Sequence, residues 1–202
     1  MIISRLLFRP EKILAYVLFF ALAAPLAGTD SAGTGYKGSF EVLYYRSNLL
    51  VRIKPIDFTS PSNSWGMEAM IGRRFGFLNA YAYCKTNLTG SAWMGLRLET
   101  TVKDKRNRFN AVLQLRTFKG LNRRSEDHLY IIPYLNASLD QKGNFRAGFL
   151  GIGEAVWQRR AAFFLGPAVT LRLNKHIRIR LSAGDNVLGK GSLVYLKSYI
   201  SL

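Results

Sequence analysis

Apolar and polar residues alternate one by one along most of the chain after Gly38. The clearest case runs from His176 to Ser182, where isoleucine or leucine occupies every odd-numbered position and histidine, arginine or serine every even-numbered one. Successive side chains of a β-strand point to opposite faces, so this pattern predicts strands with one apolar and one polar face. No helical period of comparable length is present, which predicts an all-β fold. The same alternation occurs in segments 78–85, 93–103, 109–118, 129–140, 163–173 and 194–202.

Clusters of turn-forming residues separate these segments, and their number sets the strand count. Between Phe40 and Lys54 the apolar positions keep a single phase, which favours one long strand there. The chain then has about ten strands, whereas a turn at Ser47-Asn48 would give about eleven. We therefore predict a closed antiparallel up-and-down transmembrane β-barrel of about ten strands, within a range of eight to twelve. The apolar positions of the long segment are Leu43, Tyr45, Leu49, Val51 and Ile53.

Two features favour a membrane barrel over a soluble one. Short connections, such as Arg74 to Gly76 and Asn174-Lys175, alternate with longer ones, such as Pro55 to Asn63 and Lys119 to Asp127, as in outer-membrane barrels. Charged residues also avoid the apolar face of the strands, as contact with lipid requires. A soluble periplasmic barrel that binds an anionic or apolar ligand would have the same alternation, and it stays an alternative.

The N-terminus has the pattern of an export signal. A basic region containing Arg5, Arg9 and Lys12 precedes the apolar run from Ile13 to Leu22, and small residues up to Ala27 follow. That run is shorter than the roughly 20 residues of a spanning helix, so we predict a cleaved signal peptide at residues 1–27. A short linker at 28–38 and the barrel at 39–202 complete the predicted organisation.

The alternating strands, the turn signals between them and the signal peptide resemble those of small bacterial outer-membrane β-barrel proteins. The resemblance covers nearly all of the mature chain, and it is one of pattern rather than of motif. It implies a location in the outer membrane and contact with outer-membrane lipid or lipopolysaccharide. The last strand alternates as in that class, but it ends on Leu202 and not on an aromatic residue.

The formal net charge of +17 predicts an anionic partner, and export makes nucleic acid an unsuitable one. Arginines on the polar faces of several strands converge on one lumen if the barrel closes, where they would bind phosphate or carboxylate groups. The alternative is an ion-pair network that fills the lumen. The predicted anion-binding residues are Arg97, Arg116, Arg172, Arg178 and Arg180. The predicted ion-pair partners are Glu68, Glu99 and Glu154.

No recognisable catalytic motif is present, and the favoured function is non-enzymatic: a structural or accessory subunit, or a narrow porin-like, anion-preferring pore. A lipid-modifying enzyme would need His128 or His176 as its base. Ser125 and Asp127 lie beside the first histidine in sequence, and Ser182 and Asp185 follow the second. The single cysteine, Cys84, excludes an intrachain disulfide, and two histidines make a zinc site improbable, so no metal or cofactor is predicted.

Overall fold

A computed structural model describes residues 34–60, 64–106, 108–156 and 160–202. Within these ranges all of the regular structure is β-strand, and eleven strands close into one barrel. The predicted signal peptide at 1–27 lies outside the described residues, and the first strand begins at Thr34, within the segment predicted as a linker. The strands are β1 (Thr34–Arg46), β2 (Leu49–Ser60), β3 (Ser64–Phe75), β4 (Leu78–Asn87), β5 (Ala92–Lys103), β6 (Phe109–Gly120), β7 (His128–Ser138), β8 (Phe145–Val156), β9 (Arg160–Arg172), β10 (Ile177–Asn186) and β11 (Ser192–Ser201).

The closing pair of the barrel is parallel. Every strand pairs antiparallel with the next one along the chain, whereas β1 and β11 run side by side in the same direction from Thr34↔Ser192 to Leu43↔Ser201. An up-and-down path with an odd number of strands leaves its first and last strands pointing the same way, so closure has to be parallel. The predicted closed all-β barrel is confirmed. The prediction of about ten strands, all antiparallel, is wrong in the count and in this pair.

The additional strand comes from a two-residue hairpin at Ser47 and Asn48. Arg46 pairs with Leu49 across this turn, and Ser47 has a φ of 53°. Two-residue hairpins require positive φ, for which glycine or asparagine is the usual signal, and serine is not. The interpretation of residues 40–54 as one strand is therefore wrong.

The hairpin also changes which residues face the interior. Leu43 pairs with Arg52 on the inner face of the barrel, whereas Val51 and Ile53 lie on the outer face. The apolar positions that were continuous in the sequence therefore belong to two different faces. Tyr45 lies on the inner face too, where Arg52 donates a hydrogen bond to its hydroxyl over 3.3 Å.

The predicted contrast between short turns and long loops is wrong. The N-terminal rim, where β1 begins, carries connections of three to seven residues, and the C-terminal rim, where β1 and β11 end, carries connections of two to six. The segment from Pro55 to Ser60, predicted as part of a loop, continues β2 past a register shift between Lys54 and Asp57. A bulge tolerates Pro55 because that residue has no N–H to donate to the sheet.

Charged side chains lie inside the barrel and apolar side chains cover its outside. Glu41 and Arg97 are 0% exposed, whereas Ile71 and Leu96 are 60% and 61% exposed. Two interior clusters of aromatic and aliphatic side chains pack beside the charges, one around Tyr83 and Phe118 and the other around Tyr134 and Leu150. This arrangement reverses the usual preference of charged residues for the surface.

Candidate functional site

Glu41 is the centre of a buried ionic network that crosses the lumen. Its carboxylate lies 2.5 Å from the Nζ of Lys197, 3.5 Å from the Nη1 of Arg52 and 3.8 Å from the Nη1 of Arg97. Glu99 joins the network by ion pairs with Arg97 and with Arg52, the latter at 2.9 Å. We call these five residues the Glu41 network. Because they come from β1, β2, β5 and β11, the network links both sides of the parallel closure.

Glu68 is the centre of a second buried group. Its carboxylate accepts a hydrogen bond from the Nζ of Lys54 over 2.8 Å and lies 3.5 Å from the Nη1 of Arg116. Lys54 and Glu68 are direct partners across β2 and β3, so opposite charges face each other there. None of the eight charged residues in this group and the Glu41 network is more than 7% exposed, and their side chains therefore fill the lumen at this level.

On the C-terminal side of the Glu41 network the lumen widens into a cavity of about 540 Å³, which we call the vestibule. Its lining includes twelve arginine and lysine residues, and Glu99 is the one acidic residue among the described residues that line it. Arg52, Arg97 and Lys197 form its floor. The remaining basic residues of the lining are Arg74, Lys103, Arg106, Arg108, Lys142, Arg146, Arg172, Arg178 and Arg180.

Two aspartates of the C-terminal rim accept hydrogen bonds from backbone N–H groups of the turns that contain them. Asp104 accepts a hydrogen bond from the backbone N–H of Phe109 over 2.8 Å, and Asp140 accepts from those of Phe145 and Asn144 over 2.9 and 3.1 Å. These backbone donors hold the pKa of both carboxyls below the ordinary value, that of Phe109 contributing most for Asp104 and that of Phe145 for Asp140. Both carboxylates therefore stabilise turns.

The five predicted anion-binding arginines fall into two sets. Arg97 and Arg116 lie deep in the lumen and are paired with glutamates. Arg172, Arg178 and Arg180 line the vestibule wall, and no carboxylate of the described residues forms an ion pair with them. The structure therefore brings Arg172, Arg178 and Arg180 together around the vestibule. Arg97 and Arg116 lie deeper in the lumen, on the side of the N-terminal rim.

Two arginines of the wall, Arg180 and Arg172, contact neutral groups. The guanidinium of Arg180 lies 3.6 Å from the centre of the Tyr134 ring, and its Nε donates to the Oγ1 of Thr170 over 3.3 Å. Arg172 donates from its Nε to the backbone carbonyl of Asn174 over 3.1 Å. Arg146 donates to the Oδ1 of Asn136 over 3.0 Å. The contacts of Arg180 and Arg172 orient these two side chains without cancelling their charge.

The predicted ion-pair residue Glu154 lies away from the vestibule, near the N-terminal rim. Its carboxylate accepts a hydrogen bond from Tyr130 over 2.7 Å, and it lies 3.2 Å from the Nδ1 of His128 and 3.4 Å from the Nζ of Lys37. Glu68 and Glu99, by contrast, belong to the two buried ionic groups.

The structure assembles neither of the two Ser–His–Asp groups considered from the sequence. Ser125 hydrogen-bonds Asn122, and Asp127 accepts hydrogen bonds from Lys119 and from the backbone of Gly120. His176 contacts the backbone carbonyl of Ser201 over 2.8 Å at the C-terminal rim. Ser182 and Asp185 lie about 20 and 30 Å farther along the strand direction, at 3.3 Å per residue.

Four charged residues of the Glu41 and Glu68 groups were missed by the sequence analysis. Glu41 lies before the Ser47–Asn48 hairpin, and Arg52 and Lys54 lie after it, so the single-strand interpretation hid their common face. Lys197 occupies a polar position of the last strand, and its pairing with Glu41 depends on the parallel closure. The alternation of Arg52 with Val51 and Ile53 was the signal that could have identified it.

No helix of the described residues has the length and apolar character needed to span a membrane. In the same part of the chain, no group of three or more histidine, cysteine, aspartate or glutamate side chains is arranged to hold a metal ion. No protein-family model, no curated protein and no solved structure matches this chain.

Proposed function

We propose that this chain is a non-enzymatic, membrane-spanning β-barrel protein of a bacterial outer membrane, with a closed lumen and a basic vestibule that receives anionic solutes. The observation that carries the proposal is the polarity of the barrel. Thirty large hydrophobic residues of the described chain are exposed, all except Tyr45 on the outer face or outside the strands, while eight charged residues are buried in the lumen. Soluble monomers rarely expose contiguous apolar patches larger than a few hundred Å², whereas a lipid bilayer requires an apolar exterior.

The distribution of charge along the outer face supports the same proposal. The strand residues of this face that carry charge in the described ranges are Arg46, Arg73, Lys119 and Asp185, and each lies within the last three residues of its strand. The middle of the wall is therefore free of charge on the outside. Strands of 10 to 13 residues also suit a bilayer, which a tilted strand crosses in about 9–11 residues.

Aromatic residues lie on the outer face near both rims. Trp65 and Phe163 are near the N-terminal rim, and Phe109 and Phe145 begin their strands at the C-terminal rim. Aromatic side chains are enriched where the hydrocarbon of a bilayer meets its headgroups. The spacing of the two sets along the strands therefore fits the two interfaces of a membrane.

The closed lumen distinguishes the proposed protein from a narrow anion-preferring pore. Glu41 and Arg97 have no exposed surface, and the other three residues of the Glu41 network are at most 6% exposed, which supports a lumen closed by side chains at this level. The vestibule above it concentrates anions without conducting them, because its lining carries far more basic than acidic residues. We infer a role in binding or anchoring rather than in transport.

The proposed location depends on the export signal at 1–27 and on the resemblance in strand pattern. The odd strand number departs from the bacterial class, in which single-chain barrels have an even number. Fractionation of membranes tests the location. We expect the protein in the outer-membrane fraction, migrating differently on a detergent gel before and after boiling. Recovery as a soluble periplasmic protein would contradict the proposal and support the soluble barrel.

A further inference from the structure

We propose that Arg172 and Arg178, together with Arg146 and Arg180, form a binding site for the phosphate group of an anionic ligand in the vestibule. The inference deepens the proposed function, and it rests on that function only in requiring an accessible vestibule. Its starting point is a pair of like charges: Arg172 and Arg178 are direct cross-strand partners on β9 and β10, and both face the lumen. Like charges in this position repel each other and destabilise a sheet.

The same barrel shows how such a pair is otherwise neutralised. Arg97 and Arg116 are also direct cross-strand partners, on β5 and β6. Each of them has a glutamate within ion-pair distance, Glu99 for the first and Glu68 for the second. Arg172 and Arg178 are direct cross-strand partners in the same way, but they have no carboxylate partner among the described residues. An anion from solution can occupy the position that glutamate takes in the deeper pair.

The neighbouring residues extend this pair into a site. In the adjacent row of the sheet Thr170 lies between Arg146 on β8 and Arg180 on β10. Arg180 is fixed against the ring of Tyr134, and Arg146 donates to Asn136. Four arginines on three adjacent strands thus face one volume, and three of them, Arg146, Arg172 and Arg180, are oriented by other contacts.

The number and type of these cations favour phosphate over a single carboxylate. A phosphate group offers several oxygens and up to two negative charges, and arginine binds it through a planar fork of N–H donors. One carboxylate would satisfy one fork and leave two of Arg172, Arg178 and Arg180 without a carboxylate among the described residues. The cavity of about 540 Å³ accommodates a ligand larger than the phosphate itself, such as a phosphorylated sugar or a lipid headgroup.

Calorimetric titration of the folded full-length mature protein in detergent tests the site. The probes are glucose 6-phosphate, short-chain phosphatidic acid, citrate and glucose. We expect saturable binding of at least one of the two phosphates, weaker binding of citrate and none of glucose. Binding of the sugar phosphate identifies a free solute as the source, and binding of the lipid alone identifies a headgroup; either result supports the site. Citrate binding as tightly as the phosphates, or no phosphate binding, would overturn it.

Paired variants separate the site from general attraction of anions. Arg172→Gln with Arg178→Gln should weaken phosphate binding about 100-fold or more, since each lost charge-assisted fork is worth about tenfold to a hundredfold. The matched control is Arg46→Gln with Arg73→Gln, which removes two charges from the outer face near the same rim and should change affinity less than about twofold. An equal loss of phosphate affinity in the two double variants would contradict a local site.

Two further measurements, the gel-shift on boiling and insertion into lipid, distinguish failure of the phosphate site from failure of the membrane proposal. The gel-shift of each variant on boiling reports whether the barrel folds, and a variant that binds no phosphate yet keeps its shift has lost the site alone. Phosphate binding by a protein that does not insert into lipid would retain the site and reject the membrane proposal.

Discussion

Replacement of Leu98 by arginine should destabilise the barrel in a lipid bilayer by about 2–4 kcal/mol, the cost of a charge facing lipid at mid-membrane. Leu98 lies on the outer face of β5, 40% exposed, between the uncharged partners Ala80 and Leu115. The strand ends five residues later at Lys103, about 16 Å away along its length and about 12 Å in depth for a tilt of about 40°. An arginine side chain of about 7 Å cannot span that depth to reach water.

The assay is denaturant unfolding of the protein from lipid vesicles, followed by tryptophan fluorescence. Leu88→Arg is the matched control, because Leu88 is 83% exposed in a connection at the rim, where the cost falls below about 1 kcal/mol. In a water-soluble barrel both leucines would be surface residues, and each change would lie within about 0.5 kcal/mol of neutral. Equal stability of the two variants would therefore refute the assignment of the outer face to lipid.

Three further predictions concern the interior and the rim. Glu41→Gln should destabilise the barrel by about 3–5 kcal/mol, because it leaves three buried cations without their shared carboxylate; unchanged denaturant unfolding would contradict the network. In planar bilayers the wild type should show no steady conductance, whereas Glu41→Ala with Arg97→Ala should open an anion-preferring path; steady conductance of the wild type, whatever its selectivity, would contradict the closed lumen. Asp140 has a folded-state pKa below its unfolded value of about 3.9, so its contribution to stability is present above that value and is lost as the pH falls through the folded pKa. Asp140→Asn should therefore flatten the loss of stability on acidification in circular-dichroism melts, and identical acid profiles would reject this role.

The strands and their inward faces could be predicted from the sequence because alternation is a local property. Arg178 and Arg180 were expected on the polar face of one strand, and the structure places both on the lumen wall. The hairpin at Ser47 was the alternative in the sequence, but its residues did not favour it over one long strand. Serine is a weak signal for positive φ, and the apolar residues on either side of the turn kept one phase.

The contacts between charged residues depend on how the barrel closes. Glu41 meets Lys197 because β1 and β11 pair in parallel, and this parallel direction follows from the odd strand number. No pattern within either strand specifies that partner. For the same reason the sequence could not separate the paired Arg97 from the unpaired Arg178, although both alternate with apolar residues.

Cys84 offers the most direct measurement of membrane insertion, since it is the single cysteine of the chain. It is exposed on the outer face of β4, where Ala69 and Met94 are its cross-strand partners. A spin label on Cys84 of the folded protein in vesicles should be accessible to oxygen, which dissolves in lipid, and shielded from a water-soluble nickel complex. The same label on the urea-unfolded protein should show the reverse. Ready access of the nickel complex to the folded, vesicle-bound protein would contradict a lipid-facing outer wall.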